Sequence, residues 1–199
     1  MTYKSAHHAL ICLFVDHSRP GHSGWQDLYD PRSREDVKLD LRDVDIGTAR
    51  NTLASSLHGM EEIAGEASMV WKHLARMDDT RAAALILRCC PPTLPRSSYT
   101  APLLPHPAYE GAMKWMVEES TGVVTGLTNY RARRDAIKLA TGGKINIGAT
   151  ADKCDVDRRT VSRLVQAIKT WERAIEDQAW REIEDRLESA GLLENHQVA

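Results

Sequence analysis

Apolar residues recur every three or four positions along much of this chain, the spacing that lays them on one face of an α-helix. Ile46, Ala49, Leu53, Leu57, Met60 and Ile63 form one such series. Ala67, Val70, Trp71, Leu74 and Met77 form a second. A third, with Ala83, Leu85, Ile86 and Leu87, follows Asp78-Asp79-Thr80, a run that can supply an N-cap. Further helices are predicted over 108–119 and 129–140, the latter capped by Thr128 and stopped by Gly142-Gly143. Residues 4–16 read as a short apolar element. Residues 17–36, rich in Gly, Pro, Ser, His and Asp, read as loop.

The longest series lies near the C-terminal end. Val161, Leu164, Ile168, Trp171, Ile175, Ala179, Ile183 and Leu187 make one stripe, closed by Gly191. A stripe of that length exceeds what a small helical hairpin can cover. It has to pack on the N-terminal half or on a second copy, so a homodimer through 161–187 is one expectation. Trp171 and Trp180 are the expected anchors.

Pro91, Pro92, Pro95, Pro102, Pro105 and Pro107 interrupt the periodicity between Cys89 and Pro107. Proline fixes φ and removes a backbone donor, so neither a helix nor a central strand is expected there. The organisation expected is a helical N-terminal region (1–88), a proline-rich linker or extended crossover (89–107) and a C-terminal helical region (108–199). The fold class is mainly α, a helical N-terminal part plus a C-terminal helix-turn-helix with a long following helix.

The helix-turn-helix, at about 145–171, rests on the order of residues from Ile147 to Arg163. The first helix needs a small residue where the second crosses it, and Ala151 stands there. A tight turn follows at Cys154-Asp155. Val156 can plug the gap between the helices and Asp157 can cap the second one. Val161 and Leu164 are spaced to face inward. That leaves Arg158, Arg159, Thr160, Ser162 and Arg163 pointing outward. Arginine grips guanine O6 and N7 with two hydrogen bonds, hydroxyls reach phosphates or base edges, and a helix N-terminus favours a phosphate. Lys144 and Lys153 lie close enough in sequence to add backbone contacts. The candidate DNA-binding residues are therefore Lys144, Lys153, Asp157, Arg158, Arg159, Thr160, Ser162 and Arg163.

Charge is concentrated on the same stretch. The net charge of −2 conceals 11 Lys or Arg against 5 Asp or Glu between Arg131 and Arg173, a local +6. From Ala174 to the end there are 2 against 7, a local −5. A basic block between acidic flanks marks one segment as a polyanion contact.

The run Val-polar-Arg-x-Thr-Val-Ser-Arg resembles the helix-turn-helix of phage and prophage regulators over about 25 of the 199 residues. Asp155 stands where such turns most often have glycine, and aspartate is among the residues that tolerate left-handed φ. The small size and C-terminal motif are loosely similar to the lambdoid-phage Q antitermination proteins, which bind DNA and RNA polymerase together. The resemblance implies a sequence-specific, DNA-binding regulator of transcription with double-stranded DNA as partner and RNA polymerase as a second one. The rival readings are a DNA-packaging adaptor of the small-terminase kind and a protein-interaction module that inhibits a host protein.

Other chemistry is thin. His7, His8, His17 and His22 cluster around Cys12, but their spacing matches no metal-ligand pattern, so neither a metal nor another cofactor is expected. Cys89 and Cys90 read as buried apolar fillers at a helix end, and reduced thiols in a cytoplasmic protein are the default. Motifs for nucleotide binding, zinc proteolysis or serine hydrolysis are absent, so no enzyme is expected. No apolar run is long enough to span a bilayer.

Overall fold

The computed structural model describes residues 3–16, 66–94 and 104–194, and over them the protein is mainly helical. The helices are α1 (Ala6–Ile11), continued by a π-turn at Cys12–Asp16, α2 (Glu66–Leu74), α3 (Asp79–Cys89), α4 (Pro107–Val123), α5 (Tyr130–Ala140), α6 (Ile147–Cys154) and α7 (Arg158–Ser189). The helical series expected over 46–63, the loop over 17–36, His17 and His22 lie outside the described residues.

Local chemistry fixes most of the helix ends. The Asp78 carboxylate accepts from the amides of Thr80 and Arg81, as the sequence suggested. Asn129, not Thr128, caps α5, accepting from the Ala132 amide at 3.2 Å. Its amide oxygen reaches the third residue on, the geometry that satisfies an orphan N–H. Helix α4 is longer than 108–119 at both ends. Pro107 starts it rather than preceding it, because at the first helical position the missing N–H would have had no partner anyway. Gly142 and Gly191, both with positive φ, end α5 and α7 with paired reverse bonds donated by the glycine's own amide and by the one that follows it.

Helix α7 organises everything else. Its 32 residues span about 48 Å. It packs against α1, α2, α3, α5 and α6. Val161, Leu164, Ile168, Ala179, Ile183 and Leu187 are all buried against the chain's own helices. Six of the eight residues of the apolar stripe are thus covered by the chain's own helices. Each fully buried aliphatic side chain contributes about 1.5–3 kcal/mol. Trp171, Ile175 and Trp180 are only half-buried at its margin, while Val165 and Glu172 take interior positions. Trp171 and Trp180, the expected anchors, therefore pack at the edge of the core and not within it. Among the described residues, Trp71 is the fully buried indole, and it meets Phe14 edge-on at 6.1 Å.

Helices on both sides of the proline-rich stretch contribute to one hydrophobic core. The stretch is pinned at its base by Leu94 N–H to Leu104 C=O and His106 N–H to Pro92 C=O. The helices that flank it, α3 and α4, pack on each other. At the other pole, Tyr3 exchanges backbone bonds with Leu192 and Glu194, tying the segment before α1 to the segment after α7.

Candidate nucleic-acid interface

Helices α5, α6 and the start of α7 form a three-helix unit, and its turn is built from short-range chemistry. Asn146 caps α6 by accepting from the Ala149 amide. Thr150 is buried and donates its hydroxyl to the Asp135 carboxylate on α5 at 2.6 Å. Ala151, only 3% exposed, allows α7 to cross closely. Asp155 adopts φ 52°, ψ 51°, the left-handed conformation. Val156 N–H then reaches back to Ala151 C=O and Asp155 N–H to Asp152 C=O, the paired bonds of a Schellman turn. Val156 packs against the core, as a plug residue should. Asp157 caps α7, accepting from the Arg159 amide at 2.6 Å.

The first turns of α7 present the expected cations. Arg158, Arg159, Thr160 and Arg163 are exposed and Ser162 is half-buried. Asp157, Arg158, Arg159, Ser162 and Arg163 line one open depression of about 510 Å³. Thr160, Lys144 and Lys153 are not among its lining residues. Lys144 sits exposed in the α5–α6 turn and Lys153 exposed in the last turn of α6. Among the described residues, none of these arginines or lysines is held in an ion pair. No family model matches the chain, and no curated protein and no solved structure matches it either.

Two members of the basic block have other tasks. Arg133 is 1% exposed. Its guanidinium donates to the Ser120 carbonyl at 2.7 Å and the Val124 carbonyl at 2.9 Å, closing the C-terminal end of α4. A cation there also meets the negative end of the helix dipole. Arg134 donates to both carboxylate oxygens of Glu110 at 2.7 and 2.9 Å. The surface charge of the block is lower than its residue count suggests. Sequence reasoning missed both roles, as it missed the Asp135–Thr150 bond. Nothing in the local sequence separates such a buried helix cap from a phosphate contact.

Elsewhere, His8 Nε2 lies 3.5 Å from Cys12 Sγ, one turn away on α1. Among the described residues no three His, Cys, Asp or Glu side chains converge as a metal site. Cys89 and Cys90 are buried, and burial pushes the Cys89 thiol up to about 12. No described helix is long and apolar enough to cross a membrane.

Proposed function

We propose that this protein is a sequence-specific regulator of transcription that binds double-stranded DNA, with the first turn of α7 in the major groove. The observation that carries the reading is the group of exposed arginines, Arg158, Arg159 and Arg163, around one depression at a capped helix start. That helix start is held at a fixed angle by the Schellman turn at Asp155. Guanidinium groups on a rigid helix N-terminus match the acceptor edges of guanine and the flanking phosphates. Acting as a cytoplasmic antiterminator that also contacts RNA polymerase is the particular form carried by the resemblance in sequence.

The test is fluorescence anisotropy on a random duplex at low salt, followed by recovery of bound fragments from a genomic library. Micromolar binding that weakens steeply with salt is expected, with the salt slope falling by about one when Lys144 or Lys153 is neutralised. Salt-independent affinity, or none, overturns the proposal. A ring of eight or more copies in solution would favour a packaging adaptor instead.

A further inference from the structure

The charge of α7 divides at one point along its length. Between Arg158 and Arg173 the helix carries five cations and one acid, Glu172. Glu172 is 2% exposed, so it places almost no negative charge on the surface. The five cations, among them Lys169 and Arg173, are all exposed. Among the described residues none of the five is held in an ion pair. A helix face that serves only solvation ordinarily mixes the two signs, because an acid one turn from a base is favourable. Beyond Arg173 the sign reverses. Asp177, Glu184, Asp185 and Glu188 are exposed there, and the exposed cation among them is Arg181.

Lys169 and Arg173 lie outside the helix-turn-helix turn but on the same side of α7 as its arginines. Each residue turns the helix by about 100°. Counted from Arg159, Arg163 stands about 40° to one side and Arg173 about 40° to the other. Lys169 is about 80° round, on the side of Arg158 and Ser162. Along the axis, Lys169 is about 15 Å and Arg173 about 21 Å beyond Arg159. The major groove of B-DNA is about 12 Å wide. With Arg159 at the base edges, Lys169 and Arg173 are therefore level with the phosphates that border the groove.

The fold leaves room beside them. An open groove of about 630 Å³ lies between α3, α5 and α7, and Gln166, Lys169, Thr170 and Arg173 form the first part of its α7 wall. The α5 wall, Leu139 and Ala140, bears no charge. Of the acids that line the groove, Glu172 is buried and Glu176 is engaged by Arg88 at 3.0 Å. Asp177, the remaining one, stands at the far end of the basic stretch.

We infer that Lys169 and Arg173 form a second contact zone for DNA: they grip phosphates of the strand bordering the groove that the start of α7 enters, and the zone ends at Asp177, where the same face turns acidic. The inference rests on the DNA-binding function proposed above and extends its interface by about three turns of α7. Contacts to the backbone add affinity and orientation but read no sequence. Each phosphate neutralised releases condensed counterions, so the zone is visible in the salt dependence of binding.

The experiment is fluorescence anisotropy of the full chain on a random duplex over a series of salt concentrations. The slope of log affinity against log salt is expected to become shallower by about 0.9 in Lys169→Gln, by about 0.9 in Arg173→Gln, and by about twice that in the double variant. Lys169→Arg and Arg173→Lys keep the charge and are expected to keep the parent slope. Their retention of it separates a lost phosphate contact from a disturbed helix. Arg181→Gln, on the same face but beyond Asp177, is expected to leave the slope unchanged. A double variant that binds with the parent slope overturns the second zone and leaves the helix-turn-helix reading standing. A slope lowered as much by Arg181→Gln overturns the boundary at Asp177 and reduces the effect to net charge. A parent chain that binds no duplex at low salt overturns the DNA reading itself, and the second zone with it.

Discussion

The Thr150 hydroxyl on α6 donates to the Asp135 carboxylate on α5 across 2.6 Å, and Thr150 is buried while it does so. This bond fixes the angle between the first two helices of the three-helix unit. A buried hydrogen bond to a charged acceptor is worth about 1.5–3 kcal/mol. Thr150→Val keeps the shape and removes the donor, so it should lower stability by about that amount in urea unfolding. In a double-mutant cycle with Asp135→Asn, most of that loss should be shared between the two sites. Additive losses would show that the pair does not act as one contact.

The turn makes its own prediction. Asp155 holds a left-handed conformation at a cost of about 1–2 kcal/mol for a residue with a Cβ. Asp155→Gly should relieve part of it and raise stability by up to about 1 kcal/mol, net of the entropy glycine loses on folding. Ala151→Glu should do the opposite, forcing a charge into the α6–α7 crossing and costing several kcal/mol. If Ala151→Glu melts with the parent chain, the crossing is not as close as the burial of Ala151 requires.

Local features of this fold were legible in the sequence and long-range ones were not. The cap at Asp78, the stops at Gly142 and Gly191, and the turn from Ala151 to Asp157 each depend on residues a few positions apart. Spacing and side-chain chemistry therefore specify them almost alone. Arg133 closes a helix whose last carbonyls come from Ser120 and Val124, and nothing within its own helix announces that. Glu172 was hidden for a similar reason. The stripe through Ile168 and Ala179 was read from its apolar members, and a periodicity of apolar residues is silent on a polar residue that shares their face. Trp71 outranked Trp171 and Trp180 because burial depends on how many helices converge on a position. At Trp71 the π-turn and α2 meet the core, whereas the other two indoles lie along the margin of α7.

Two buried groups set opposite pH slopes on stability. Burial drives the His106 imidazole down to about 4 from 6.5, and the Glu172 carboxyl up to about 7 from 4.5. The His106 contribution is full above pH 6.5 and is lost as the pH falls towards 4, since the unfolded chain binds the proton more readily. The Glu172 contribution is full below pH 4.5 and is lost as the pH rises towards 7, since there the folded chain binds the proton more readily. Between these limits the two slopes oppose each other at about 1.4 kcal/mol per pH unit each. Glu172→Gln should therefore uncover a fall in stability below pH 6.5 that the parent chain masks. At pH 8 the variant should exceed the parent by up to about 3 kcal/mol. Urea midpoints at four pH values check this, and parallel profiles for the two chains would refute it.

The sharpest question is which arginine reads a base. Arg158 stands at the first turn of α7, and the step to Arg159 rotates about 100° around the helix. Arg163, four residues beyond Arg159, returns to nearly the same direction, so Arg159 and Arg163 form a row beside Ser162. All of them border the same depression, and the Arg159 amide is fixed by the Asp157 cap. Arg159, near the capped end and on the shared row, is expected to make the bidentate contact to guanine, with Thr160 on a phosphate. Arg159→Ala should lose about 1–3 kcal/mol on the preferred site and far less on random duplex. Arg158→Ala should weaken both by similar factors, as a backbone contact does. The measurement is the pair of affinities, specific and random, for all three alanine variants at one salt concentration. Equal factors throughout would mean that the arginines touch only phosphates, and specificity would then have to arise from DNA shape rather than from base edges.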